Sequence, residues 1–172
     1  MDELCTKNIT QGEFAVGSSE DLVITTILGS CVSACLWDPV AHVGGMNHIL
    51  LPDLPDSIGC LGSGVNAMEL LINAIIKNGG MKSRLKAKIF GGSKMVSRLS
   101  DVGQRNAEFV LNFLVDERID CLAHSLGGEQ ARRIQFWPFS GRARQKLLGR
   151  IDLPEKILPP SLESVKMDAE IF

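Results

Sequence analysis

Apolar residues in this chain fall into short runs punctuated by glycine, proline and serine. Three runs come early: 22–28 (LVITTIL), halted by Gly29 and Ser30; 32–37 (VSACLW), closed by Asp38 and Pro39; and 46–51 (MNHILL), stopped by Pro52. Each is too short for an ordinary helix and rich enough in β-branched or aromatic residues to predict a strand. Asp-Pro favours a turn, because proline fixes φ and the aspartate can bond its own backbone. The stretch therefore reads as a hairpin with Cys31 at one end and His48 near the other end of the partner strand. Before it, 1–11 reads as a polar arm or edge strand and 12–16 as a short strand. The turn-rich string DLPDSIGCLGSG after Leu51 reads as an exposed loop bordering the site.

The period then changes. Val65, Met68, Leu71, Ile72, Ile75 and Ile76 recur at three- and four-residue spacing, predicting a helix over 65–77 with Ser63 available as cap and Asn78-Gly79-Gly80 as its end. A strand at 85–90 stops at Gly91-Gly92. A second helix over 104–116 starts near Ser100 or Asp101, with Ala107, Val110, Leu111 and Leu114 on one side and Phe109 and Phe113 widening the stripe. A strand at 119–125 follows, then 133–137 and 143–148 flank PFSGR as a second hairpin. Strands outnumber helices and hairpins predominate. The expected class is α+β, a layered sandwich of mixed or antiparallel sheets with two amphipathic helices packed outside. The domain expected is 1–149, with 150–172 a C-terminal tail carrying a short acidic helix from Ser161.

Composition changes this picture little. At 172 residues and 45% hydrophobic, the chain can bury one full core without staples. Its net charge of −2 is spread along the chain, which argues against nucleic acid or an anionic membrane as partner. Arg132, Arg133, Arg142, Arg144, Lys146 and Arg150 cluster late, read as a solvated strand face, with docking of an acidic partner as the lesser alternative. The N-terminal string MDELCTKNITQGEF is unlike a signal peptide, and no run approaches the roughly 20 apolar residues of a membrane span. A cytoplasmic location is expected. The cysteines at 5, 31, 35, 60 and 121 form an odd set without paired spacing, which suits reduced thiols.

Cys31 and His48 carry the candidate chemistry. A free thiol with a pKa near 8.5 is only a few per cent ionised at pH 7, and lowering that pKa by about two units takes roughly 2.7 kcal/mol, within reach of one close imidazolium. The small residues Gly29 and Ser30 leave room for a carbonyl beside backbone N–H groups of Ser30 and Cys31, an oxyanion site. Thr25 or Thr26 can orient the second ring nitrogen of His48. If the strand stays regular to Cys31, Thr25 shares the face of the thiol, and parity favours Thr25. His42 sits in a turn and reads as solvated, and His124 as structural. The rival chemistry is a zinc site from Cys31, Cys35, His42 and His48, although Cys31 and Cys35 on one strand would be roughly 13 Å apart. No metal or other cofactor is expected.

The string TTILGSCVSACLWDPVAHVGGMNHILLP, together with LKAKIFGGSKM, GQRNAEFVLNFL and LGGEQARRIQFWPFSGRA, resembles the CheD family of chemoreceptor glutamine deamidases, over about residues 12–148. It departs at Ser125, where an acidic residue is common, and in GSGVNAMELL, which lacks a frequent aromatic. The resemblance implies a layered sandwich and a protein-glutamine amidohydrolase working through a cysteine thioester. Cys31 would be nucleophile, His48 base and Thr25 its orienter. It implies methyl-accepting chemotaxis receptors as protein substrate and a CheC-type phosphatase as a further partner. The alternative is a non-catalytic chemotaxis adaptor binding receptors or that phosphatase.

Overall fold

The computed structural model describes residues 4–51, 58–95, 101–149 and 169–172. In chain order the strands are β1 (Cys5–Asn8), β2 (Phe14–Gly17), β3 (Leu22–Leu28), β4 (Val32–Asp38), β5 (Val43–Asn47), β6 (Lys86–Gly91), β7 (Asp120–Leu126), β8 (Arg132–Trp137), β9 (Arg142–Leu147) and β10 (Ala169–Ile171). The helices are α1 (Ile58–Lys77), between β5 and β6, and α2 (Val102–Asp116), between β6 and β7. Two five-stranded sheets result, one ordered β1-β3-β8-β9-β10 and the other β2-β5-β4-β6-β7. Both are mixed: β1 runs parallel to β3 and β6 parallel to β7, whereas the remaining pairs are antiparallel. The α+β sandwich with helices outside is the architecture the periodicities predict.

Strand β4 shows why the sequence chooses three layers. All seven of its residues are buried, because the sheet is covered on both faces. Val32, Ala34 and Leu36 face a core shared with Met68, Leu71 and Val110 of the helices, while Cys35 and Trp37 pack with Ile24, Leu28 and Phe136 of the other sheet. A continuous apolar run is what burial on both faces demands. Strand β8, in contrast, alternates buried and more exposed positions, so only one face of its sheet is covered.

The run 22–28 and the expected hairpin lie in different sheets: β3 is in one and β4 in the other, with the chain crossing between them at residues 29–31. The hairpin is β4 with β5, closed through Asp38 as its Asp-Pro dipeptide predicts. Helix α1 starts at Ile58, seven residues before the expected 65, so Ser63 is interior and not a cap. The glycines that read as loop formers have another use. A Cβ on Gly64 would lie 2.6 Å from the ring of Phe109 and 2.7 Å from Leu51, so its absence lets α1 approach its neighbours. Of the expected tail, Ala169–Ile171 pairs with β9 as an edge strand. Of the expected loop 53–64, residues 58–64 are in α1, and its first part, like the expected helix from Ser161, lies outside the described residues.

Asp38 holds the β4–β5 turn. Its buried carboxylate accepts from the N–H groups of Val40, Ala41 and Met81 at 2.9, 3.1 and 2.9 Å, and from Arg84 Nη2 at 2.8 Å. Burial alone would raise the carboxyl pKa, but the Arg84 fork and these N–H groups outweigh it and hold the group well below the usual carboxylate range. A depressed folded-state value means stability that is present above the ordinary aspartate pKa and is lost as pH falls. Asp38→Ala is expected to cost about 3 kcal/mol at neutral pH. Urea midpoints should show the gap from wild type narrowing as pH drops below about 4.

Candidate active site

Register sets Cys31 and His48 on one face, at one cavity. Val32 and Ile49 form an isolated antiparallel bridge, with N–H to carbonyl distances of 3.0 and 2.8 Å in the two directions. This continues the β4–β5 ladder, in which Cys35 faces Met46. Cys31 and His48 are then diagonal neighbours on one face, an offset within side-chain reach. That face is the one carrying Cys35 and Met46, turned toward the β3-containing sheet. The main chain of His48 is fixed from the opposite side, where its carbonyl accepts from Gly12 N–H at 2.9 Å and its N–H donates to Glu13 at 3.0 Å.

The ring is held across the gap between the sheets. Its Nδ1 lies 2.8 Å from Thr26 Oγ1, and the same hydroxyl donates to the Ile9 carbonyl at 2.7 Å. A hydroxyl has a single proton to donate. Since Thr26 gives that proton to Ile9, the ring must donate to Thr26, which places the imidazole proton on Nδ1 and leaves Nε2 as the basic nitrogen. The expected orienter, Thr25, is not the residue at the ring; Thr26 is. Thr25 is buried and lines the same cavity as Thr26 and His48 without bonding to the ring. Parity with Cys31 holds only for a strand regular through residue 31, and β3 ends at Leu28. Ile24, Thr26 and Leu28 are the residues that face the opposing sheet, where His48 comes from.

The backbone before the thiol is clamped at three successive carbonyls. Gly29 accepts from Ser93 N–H at 3.0 Å, Ser30 from Asn106 Nδ2 at 2.9 Å and Cys31 from Gly92 N–H at 2.8 Å. Across each planar trans peptide the N–H points opposite to the carbonyl. Among the described residues no carbonyl accepts from the N–H groups of Ser30 and Cys31, the latter lying against its own sulfur. Gly91, at φ 118°, is required here: a Cβ would meet the Cys31 carbonyl at 2.2 Å. Asn106 is fully buried in α2, and its Oδ1 also accepts from Leu51 N–H at 2.9 Å, tying the chain on both sides of the Cys31–His48 pair. Arg132, buried, donates to Ser93 Oγ at 2.9 Å and to Ser125 O at 2.7 Å, bracing the turn that holds Gly29.

Cys31 and His48 both line a cavity of about 860 Å³, with Thr25, Thr26, Arg133 and Gln135 among the other walls and Met95 closing one side. Burial pushes the Cys31 thiol up to about 11, opposed only by its own backbone N–H. Burial likewise takes His48 down to about 4, with Glu13 pulling the other way. Burial thus favours the neutral form of both groups, against the expected thiol ionised by a resting imidazolium. A thiol beside a neutral, correctly protonated base can still act, with the proton moving as the sulfur attacks.

The four residues of the rival zinc set are not gathered. His42 lies in the β4–β5 turn stacked on Phe139 at 4.5 Å, and Cys35 is buried along β4. No group of three His, Cys, Asp or Glu side chains suited to a metal occurs among the described residues. His124 is on β7, the edge strand of the helix-covered sheet, away from the cavity lining. Sequence reading missed Ile9, Ser93, Met95, Asn106 and Arg132. The available signal was a polar Asn106 beside the apolar stripe of α2, and an arginine at a position whose strand parity is inward.

A thiol and an imidazole at one cavity of a small α+β sandwich are the equipment of a thiol-dependent hydrolase. Comparison with known proteins narrows the class. The family model described as CheD chemotactic sensory transduction matches residues 60–147. The chain is 47% identical to the probable chemoreceptor glutamine deamidase CheD of Agrobacterium fabrum, over 96% of this chain and 95% of that protein. It is 46% identical to the protein of the same name from Caulobacter vibrioides, over 96% and 92%, and 53% identical to that from Cereibacter sphaeroides, over 85% and 74%. This chain belongs to the CheD family. Among solved structures, the hypothetical protein YfiH of Bacillus licheniformis aligns over 72% of this chain and 60% of that one, at 15% identity and TM-score 0.45.

Proposed function

We propose that this protein is a chemoreceptor glutamine deamidase, an amidohydrolase that converts glutamine side chains of methyl-accepting chemotaxis receptors to glutamate. The observation carrying the reading is the cavity shared by Cys31 and His48, in a chain whose near-full-length relatives bear that name. The Cys31 sulfur attacks the carboxamide carbon while its proton passes to His48 Nε2. The N–H groups of Ser30 and Cys31 hold the resulting oxyanion. His48 returns the proton to the amide nitrogen, the C–N bond breaks and ammonia leaves a thioester. Water, deprotonated by the same nitrogen, then cleaves the C–S bond, giving the glutamate carboxylate and restoring the thiol.

Thr26 keeps the ring in the tautomer this cycle needs, and Thr25 meets the substrate at the cavity wall. No helix among the described residues is long and apolar enough to cross a membrane, in keeping with work in the cytoplasm on a receptor's internal face. Binding of a CheC-type phosphatase belongs to the same reading. Nothing in the site favours the non-catalytic adaptor.

The test is incubation with a purified receptor cytoplasmic fragment. Each modified site should gain about one dalton and release one ammonia, and a fragment unchanged in mass with no ammonia overturns the proposal. Thr26→Val is expected to lower kcat by about 10- to 100-fold by releasing the ring tautomer, whereas Thr25→Val should act chiefly on KM. A larger kcat loss in Thr25→Val would return the orienting role to Thr25.

A further inference from the structure

The outer face of the β1-β3-β8-β9-β10 sheet has an unusual charge balance. On β8 and β9 the residues turned away from the core are Arg133, Gln135 and Trp137 opposite Lys146, Arg144 and Arg142, in that pairing. Each of these three β8–β9 pairs thus contains a cation. Arg133 and Lys146 face each other directly, an opposition of like charges that disfavours the sheet. None of the four cations has a carboxylate within ion-pair range among the described residues; the ion pairs present there lie elsewhere, at Lys82–Glu117, Arg84–Asp38 and Lys86–Asp120. Glu170 sits opposite Gln145, which is buried on the core side of β9, and bonds to it at 3.3 Å. A protein whose net charge is −2 therefore displays one basic face.

This face runs into the cavity. Thr25 pairs with Gln135 and Ile27 with Arg133 across β3 and β8, and all four residues line the cavity that holds Cys31 and His48. We propose that the β8–β9 face is the docking surface for an acidic protein segment, so that the glutamine entering the cavity is flanked by carboxylates which Arg133, Arg144, Lys146 and Arg142 receive. This deepens the deamidase reading and rests on it for what enters the cavity. A basic surface beside a cleft concentrates oppositely charged partners, and does so less as salt screens it. Nucleic acid or an anionic membrane would satisfy the charge but has no reason to be led to a thiol and a base.

The experiment uses the full chain and two labelled peptides with the same central glutamine, one flanked by glutamates and one by lysines. Binding is read by fluorescence anisotropy and turnover by ammonia release. The glutamate-flanked peptide should bind at least about tenfold tighter at 0.05 M salt, roughly, with the preference largely gone near about 0.5 M. The variant carrying Arg133→Glu, Arg144→Glu and Lys146→Glu should reverse the preference, a gain on the lysine-flanked peptide that a misfolded protein cannot give. Equal binding of the two peptides by wild type, an unaltered preference in the variant, or tighter capture by phosphatidylserine vesicles than by the glutamate-flanked peptide would overturn the docking surface. Preferential binding without ammonia from either peptide or from the receptor fragment would instead defeat the deamidase reading and leave the surface standing.

Discussion

Cys31→Ala is expected to reduce ammonia release from a receptor fragment to background, a loss of at least about 10⁴ in kcat, equivalent to roughly 5.5 kcal/mol of barrier. The alanine removes the only atom proposed to bond to the carboxamide carbon, and His48 Nε2 is left without a proton to accept. What remains, the N–H groups of Ser30 and Cys31, can polarise a carbonyl but cannot form a thioester. The fold should tolerate the change. Cys31 is only partly buried, and its backbone is fixed by bonds from Gly92, Asn106 and Ser93 that do not involve the sulfur. Circular dichroism and the urea midpoint should stay close to wild type. A variant that keeps a tenth of the rate or more would show that the chemistry lies elsewhere.

The resting charge state gives the second large effect. With burial holding the Cys31 thiol near 11 and His48 near 4, the thiolate fraction at pH 7 is roughly one in ten thousand. Iodoacetamide reacts with thiolate, so modification of Cys31 should be slow at neutral pH and accelerate about tenfold per pH unit, close to 10³ between about pH 7 and 10. A preformed thiolate–imidazolium pair would give a flat, fast rate across that range, and that result would sink the neutral-site assignment. Peptide mapping separates Cys31 from Cys5, which is exposed. The same charge states imply an enzyme active with neutral imidazole: the base is lost only when pH falls toward about 4, so kcat/KM should hold level through the neutral range.

Where local pattern sufficed, the sequence could be read directly. β3 occupies the span its apolar run predicts, 22–28, and the β8–β9 hairpin forms around the expected PFSGR turn. Cys31 and His48, which line one cavity, stand out from chain spacing and family resemblance. Their surroundings depend on which elements meet in three dimensions, and that was hidden. Nothing local says that β3 and β4, three residues apart, belong to different sheets, so the alternation argument carried Thr25 to a place that Thr26 holds. Asn106 and Arg132 reach the site from 76 and 39 residues away along their hydrogen bonds to Ser30 and Ser93, beyond any periodicity. The early start of α1 was concealed by glycines that serve tight packing as readily as they serve loops.

The bond between Thr26 and His48 joins one half of the sandwich to the other. On the proposed mechanism neither half by itself owns a competent base, so the proton route comes into being only on closure of the two layers. Catalytic readiness in such a design is a gauge of how the layers are mated, set by their spacing more than by the strands within them.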